Sequence, residues 1–158
     1  MVPGTQDLID GELIIEDMQA TDKTGVIREF AALLKRTGRI RDEEPLVSVI
    51  LERESTTTGI GGGIAIPHGR LKDIPGVIIA FGRSRNGVDF QAMDDRPVHL
   101  FFLFVTPVNR PDVHLATLRR LARLTRNPVL RERLMRSNDR LEMQKLIIDE
   151  DGKHADTR

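Results

Sequence analysis

Cysteine, tryptophan and tyrosine are all absent from this 158-residue chain. Without cysteine there is no disulfide frame, no thiol nucleophile and no thiolate metal site, a composition compatible with a reducing compartment. Without Trp or Tyr the usual stacking platforms for bases and sugars are missing. Excess charge of one sign is absent as well: 24 Lys and Arg balance 24 Asp and Glu. No basic run is long enough to grip a polyanion, which argues against a dedicated nucleic-acid binder. The opening residues, MVPGTQDLIDGELIIEDMQ, lack a basic stretch followed by an apolar one and do not read as a signal peptide. The longest apolar-rich run, 98-VHLFFLFV-105, is far short of the ~20 residues that span a bilayer. The chain is therefore expected to be soluble and cytoplasmic, with no direct membrane insertion. Its length suffices for one domain with a real core.

What is present is a clear change of pattern along the chain. Residues 1–20 read as irregular, apart from a strand-like piece at 13–15. From Thr21 onward Val26, Ile27, Phe30, Ala31, Leu33 and Leu34 recur at three-four spacing, which predicts a helix that stops at Gly38. A second helix is expected from Asp42, with Glu43, Glu44 and Pro45 in its first turn. It carries Leu46, Val47, Ile50 and Leu51 on one face and ends near Glu54, ahead of a β-branched run at 55–58. Strands are expected at 63–66, over 76-GVIIAFGR-83, at 88–90 and over 98–105, the last buried on both faces. After Pro107 the pattern returns to helix, with Pro111 near its start and Leu115, Leu118, Leu121 and Ala122 on its apolar side. Two shorter helices follow over 128–136 and 138–148. Two helices, a block of strands and three helices predict an α/β fold, a single domain with a mixed β-sheet flanked by helices. The domain is expected over residues 8–148, followed by a polar tail, 149–158, that is expected to fray.

The stretch 59-GIGGGIAIPHGR-70 stands out, because glycine is used where backbone must take unusual dihedrals or approach something closely. A nucleotide cradle does not fit. A dinucleotide fingerprint starting at Gly59 or Gly61 needs glycine at 64 or 66, where this chain has Ile64 and Ile66, and no G-x-x-x-x-G-K-[ST] string exists. Metal is weakly supported: His68, His99, His114 and His154 include no i, i+4 pair, and there is no Cys and no HExxH pattern. No cofactor is expected either. Nucleophilic catalysis by histidine fits better, since a neutral imidazole nitrogen attacks an electrophile such as a phosphoryl group. Such a ring must be accessible, held in one tautomer and flanked by cations or donors for the arriving oxygens. Pro67 stiffens the chain before His68, Gly69 leaves room for a partner or a phosphate, and Arg53 and Arg70 supply charge. His114 falls in the first turn of its helix, where free N–H groups favour an anion. On this reading the glycines and Pro67 form a platform that holds His68 out toward partner proteins. Ile60 and Ile64 belong either to that docking surface or to the core.

The strings 53-RESTTTGIGGGIAIPHGR-70, 89-DFQAMDDRPVHLFFLFVTP-107 and 114-HLATLRRLARL-124 together resemble the type-2 IIA domains of the sugar phosphotransferase system. These comprise the fructose/mannitol-type domains and their nitrogen-regulatory relatives. The resemblance covers about residues 8–148 and rests most on G-I-x-x-G-I-A-I-P-H-G; the family often has Asn where this chain has Gly62. It implies that His68 carries a phosphoryl group, that His114 is a supporting second active-site histidine, and that Arg53 is the active-site arginine. It implies a phosphoryl donor, the small carrier protein HPr or a nitrogen-type paralogue. The receiver is a IIB domain, or a regulatory target such as a transporter or sensor kinase that reads the phosphorylated state.

No permease, IIB or HPr segment is attached in this chain, which tilts the expectation toward the nitrogen-regulatory role. The alternatives are the IIA component of a fructose- or mannitol-type transporter and a non-phosphorylated binding module of the same fold. Arg70 is read as a surface charge or a phosphate ligand, His99 as a structural or rim residue, His154 as part of the fraying tail. Phe101, Phe102 and Phe104 are read as core.

Overall fold

The computed structural model describes residues 8–54 and 59–154. Its elements are β1 (Ile14–Ile15), α1 (Lys23–Arg36), α2 (Glu43–Arg53), β2 (Gly59–Gly61), β3 (Ile64–Ala65), β4 (His68–Leu71), β5 (Ile78–Val88), β6 (Val98–Pro107), α3 (Pro111–Leu124), α4 (Pro128–Arg136) and α5 (Arg140–Lys153). Helix starts follow side-chain chemistry. Asp22 accepts from the Gly25 amide at 2.7 Å, Asn127 from Val129 at 3.0 Å and Asp139 from Glu142 at 2.9 Å. Each satisfies an amide the helix itself leaves unpaired. Pro111 and Pro128 open α3 and α4, where a missing N–H is no loss.

The strands form one mixed sheet in the order β1-β5-β6-β3-β2, with β4 also paired to β6. The β5–β6 and β2–β3 pairs are antiparallel; β1 on β5, and β3 and β4 on β6, are parallel. Side chains alternate faces along a strand, and β6 divides the core accordingly. Phe101, Leu103 and Val105 pack with α1 and α2, while Leu100, Phe102 and Phe104 pack with α3, α4 and α5. Helices on both faces explain why residues 98–105 read as apolar throughout. Among the described residues no helix is long and apolar enough to cross a membrane.

Three expectations change. The separate strand at 88–90 does not exist: Val88 closes β5 after a register shift, with Gly87 at φ +83 beside it, and Phe90 is a fully buried residue beyond it. Residues 59–61 and 68–71 are strands, not loop. The last helix runs to Lys153, beyond the expected end at Ile148 and through the start of the tail. Polar residues hold that extension. Asp151, 1% exposed, takes a bidentate pair of bonds from Arg120 at 2.8 and 2.5 Å, and Glu150 accepts from Asn127 at 2.9 Å. The β-branched run at 55–58 and the last four residues lie outside the described residues.

The glycines serve the hairpin. Gly61 pairs with Ile64 across β2 and β3, so Gly62 and Gly63 are the two central residues, at φ +67 and +80. Two left-handed central residues are what a tight two-residue hairpin requires. Asn, frequent at position 62 in the family that this chain resembles, also tolerates that conformation.

Candidate functional site

The site grows out of β4. Pro67 interrupts the pairing of β3 with β6, while its carbonyl still accepts from the Phe104 amide at 3.1 Å. The chain then resumes beside the same strand as β4. In this register His68 lies opposite Phe104 and Arg70 opposite Thr106, so these four side chains share one face of the sheet. His68 is not held out, as the sequence suggested. It is 4% exposed, and its ring stacks on Phe104 with centroids 5.0 Å apart and planes 7° from parallel.

Gly69 has a different task from the expected one. A Cβ there would meet Val49 Cγ2 at 3.1 Å and Ile50 Cγ1 at 3.4 Å. Glycine thus lets α2 lie close on β4, which brings Arg53 at the end of α2 beside His68. From the other side, α3 starts soon after β6 and delivers His114. Its ring centroid is 5.3 Å from that of His68 and 5.1 Å from that of Phe104. The His114 amide already bonds to the Arg110 carbonyl at 3.1 Å; the imidazole, not that amide, is what α3 presents here. Arg53, His68, Arg70 and His114 line a cleft of about 450 Å³, with Val49, Glu52 and Gly69 completing its walls.

Hydrogen bonding fixes the His68 ring. Nδ1 is 2.7 Å from the Ile66 carbonyl oxygen. A carbonyl only accepts, so Nδ1 carries the proton and Nε2 keeps its lone pair. His114 Nδ1 lies 2.6 Å from the Thr106 hydroxyl. Burial pushes the His68 imidazolium below its ordinary range; the Ile66 carbonyl works the other way, and Arg53 and Arg70 add to the depression. His114 is pushed down to about 4, by burial first and then by His68, Arg70 and Arg53. Both rings are therefore neutral at pH 7. Among the described residues no group of three or more His, Cys, Asp or Glu is arranged to hold a metal, and guanidiniums beside imidazoles suit an anion.

The depressed values have a consequence for stability. A histidine whose folded pKa lies below 6.5 takes up protons more readily when unfolded, so stability falls as pH drops from 6.5 toward about 4. Urea denaturation at pH 7 and pH 5 will show the native protein losing more stability than His114→Gln over that interval. Equal losses in the two proteins would contradict the depressed His114 value.

His68, His114 and Arg53, proposed from sequence, are brought together, and Arg70 joins them. Phe104 beneath His68, Thr106 behind His114 and the Ile66 carbonyl were missed. His99 bonds to the Ser84 carbonyl at 2.9 Å and His154 to Glu150 at 3.0 Å; neither lines the cleft. His154 is a partnered residue capping α5, not part of a fraying end. Ile60 is 51% exposed and Ile64 is core at 1%.

Known proteins share this arrangement of elements. A fructose-specific EIIABC component of the phosphotransferase system from Bacillus subtilis is 34% identical over 94% of this chain, which spans 23% of that protein's length. The nitrogen regulatory protein of Bradyrhizobium diazoefficiens is 36% identical, over 84% of this chain and 87% of its own length. The crystal structure of nitrogen regulatory protein IIA-Ntr from Neisseria meningitidis is similar with a TM-score of 0.82 at 31% identity, covering 90% of this chain and 97% of that one. A solution structure of the complex of enzyme IIAMtl and phosphorylated enzyme IIBMtl from Escherichia coli gives 0.74 at 25% identity, over 89% of this chain and 97% of that one. Residues 7–150 match the family described as phosphoenolpyruvate-dependent sugar phosphotransferase system, EIIA 2, and the chain belongs to that family.

Proposed function

We propose that this chain is a phosphocarrier of the nitrogen-regulatory type, which takes a phosphoryl group onto His68 Nε2 from the phosphohistidine of HPr or a nitrogen-type paralogue. The observation that carries this reading is the bond from His68 Nδ1–H to the Ile66 carbonyl at 2.7 Å. It leaves one nitrogen, Nε2, with a free lone pair on a ring that lines a cationic cleft. That lone pair attacks phosphorus in line. A P–N bond to His68 forms as the donor's P–N bond breaks, and the bonding electrons return to the donor imidazole. The Nδ1 proton stays on Nδ1, still donated to the Ile66 carbonyl, so no proton has to move. Arg53 and Arg70 oppose the charge on the phosphoryl oxygens, and His114 donates to one of them. Phe104 holds the ring plane from below.

The group then leaves for a IIB domain, or stays as a mark that changes docking of a target such as a transporter or sensor kinase. All of this takes place in the cytoplasm, on a domain that runs from about residue 8 through α5. The higher identity to a nitrogen regulatory protein and the TM-score of 0.82 with IIA-Ntr support the regulatory role. The 34% identity to a fructose-specific component supports transport as the second reading.

The test is transfer from phosphoenolpyruvate through enzyme I and HPr, read by intact mass. The native protein gains one acid-labile phosphoryl group and His68→Ala gains none. No gain on the native protein, with the same donors labelling another IIA, overturns the proposal. Onward transfer to a IIB domain, against target binding that depends on the phosphorylated state, separates the two roles.

A further inference from the structure

Thr106 lies on β6 two residues past Phe104 and is 0% exposed. Its hydroxyl is 2.6 Å from His114 Nδ1. A hydroxyl and a neutral imidazole can each donate or accept, so two arrangements satisfy that distance. In the first, Thr106 donates to Nδ1 and the ring proton sits on Nε2. In the second, Nδ1–H donates to Thr106, Nε2 is bare, and the threonine proton needs another acceptor. Among the described residues His114 is the only hydrogen-bond partner of that hydroxyl. The second arrangement would strand a donor in the interior, where an unmade hydrogen bond is penalised in full. The first leaves nothing unmade.

We propose that Thr106 is a positioning residue for phosphoryl transfer: its hydroxyl donates to His114 Nδ1, fixes the Nε2–H tautomer, and so aims that N–H at the phosphoryl oxygens on His68. The first two parts concern the protein alone; the last rests on the phosphocarrier reading. The ring must be neutral for its tautomer to matter, and His114 is neutral at pH 7 because burial and the neighbouring cations hold its pKa at about 4. Once a phosphoryl group is on His68, a bare Nε2 on His114 would turn a lone pair toward anionic oxygens, whereas Nε2–H supplies a donor. Thr106 decides between the two without touching the phosphoryl group itself.

The experiment joins a tautomer reading to a rate. Long-range proton–nitrogen NMR on protein with nitrogen-15 in its histidines reports which ring nitrogen of His114 carries the proton. Native protein and Thr106→Ser should show Nε2–H. Thr106→Val, which keeps the buried shape but not the hydroxyl, should show a mixture or the opposite tautomer. In single-turnover transfer from phospho-HPr, Thr106→Val should lower the saturating rate about tenfold with an unchanged half-saturation concentration, the lower end of what losing the partner that orients a metal-bound histidine costs. Thr106→Ser should transfer at the native rate.

A native His114 with its proton on Nδ1 overturns the assignment. So does a Thr106→Val protein with native tautomer, or one with altered tautomer but native rate. If Thr106→Val does not fold, the native tautomer and the rescue by serine decide alone. If His68 takes no phosphoryl group at all, the proposed function fails, while the NMR result still decides whether Thr106 sets the His114 tautomer.

Discussion

Arg53→Met will slow phosphoryl transfer to His68 by about a hundredfold, the usual effect of deleting one group that stabilises charge in the transition state. Three electrically neutral units cannot take over its part: the rings of His68 and His114 are uncharged at pH 7, and Phe104 is apolar. The incoming group carries negative charge into a cleft lined, among the described residues, by two cations, Arg53 and Arg70, and one carboxylate, Glu52. Arg53 is exposed at the end of α2, so methionine keeps most of its stem and disturbs no core. The same guanidinium depresses both histidines. Its removal should therefore raise the His114 pKa above about 4, which an NMR titration checks independently of any transfer. A rate loss under about threefold, with the His114 shift present, would move the electrostatic task to Arg70.

Arg83→Met will destabilise the fold by about 3 kcal/mol, from the loss of several charge-assisted bonds inside the protein. For a chain of this size that corresponds to a fall in Tm of about 6–12 °C. Arg83 is 1% exposed on β5. Its Nε donates to the Glu16 carbonyl at 3.1 Å, and Nη1 donates to the carbonyls of Leu134, Met135 and Ser137 at 3.0, 3.3 and 2.6 Å. The last three stand at or just past the end of α4, where carbonyls lose their helical partners, although Leu134 also accepts from the Ser137 amide at 3.4 Å, and where the helix dipole favours a cation. One side chain thus ties the sheet to the segment after β1 and to α4. Methionine fills much of the space but leaves those carbonyls without their donor. Urea denaturation measures the loss, and Arg83→Lys should recover part of it by keeping the charge. Arg83 pairs with Leu100 on β6, well along the strand from Phe104 and Thr106. His68 should therefore still accept a phosphoryl group well below the lowered Tm. A loss under about 1 kcal/mol would show that water reaches those carbonyls once the guanidinium is gone.

Both predictions turn on residues that were unequally visible in the sequence. Arg53 was legible through its place at the end of a patterned helix and through the strings that resemble the IIA family. Arg83 was merely the last residue of an expected strand, because its acceptors come from Glu16 and from residues 134–137. The same distance in sequence hid Asp151, whose pairing with Arg120 turns an apparently fraying tail into the last turn of α5. Phe104 was legible as core, yet its second role under His68 depends on the register of β4 against β6, and a shift of one residue would have put Val105 there instead.

Local chemistry determined a good deal by itself. Apolar periodicity gave the five helices, the apolar run at 98–105 gave the central strand, and the glycine and proline pattern singled out His68 as the candidate for the reactive ring. These are properties of neighbours in sequence, set by helical and strand repeats and by backbone freedom. Only the tertiary structure decided that His68 is buried on a strand, that Gly69 is small to admit α2, and that His114 is backed by Thr106. It also decided which His68 nitrogen is free. Each of these depends on which strand lies beside which, and in what register, and that is fixed by filling the core on both faces of the sheet at once.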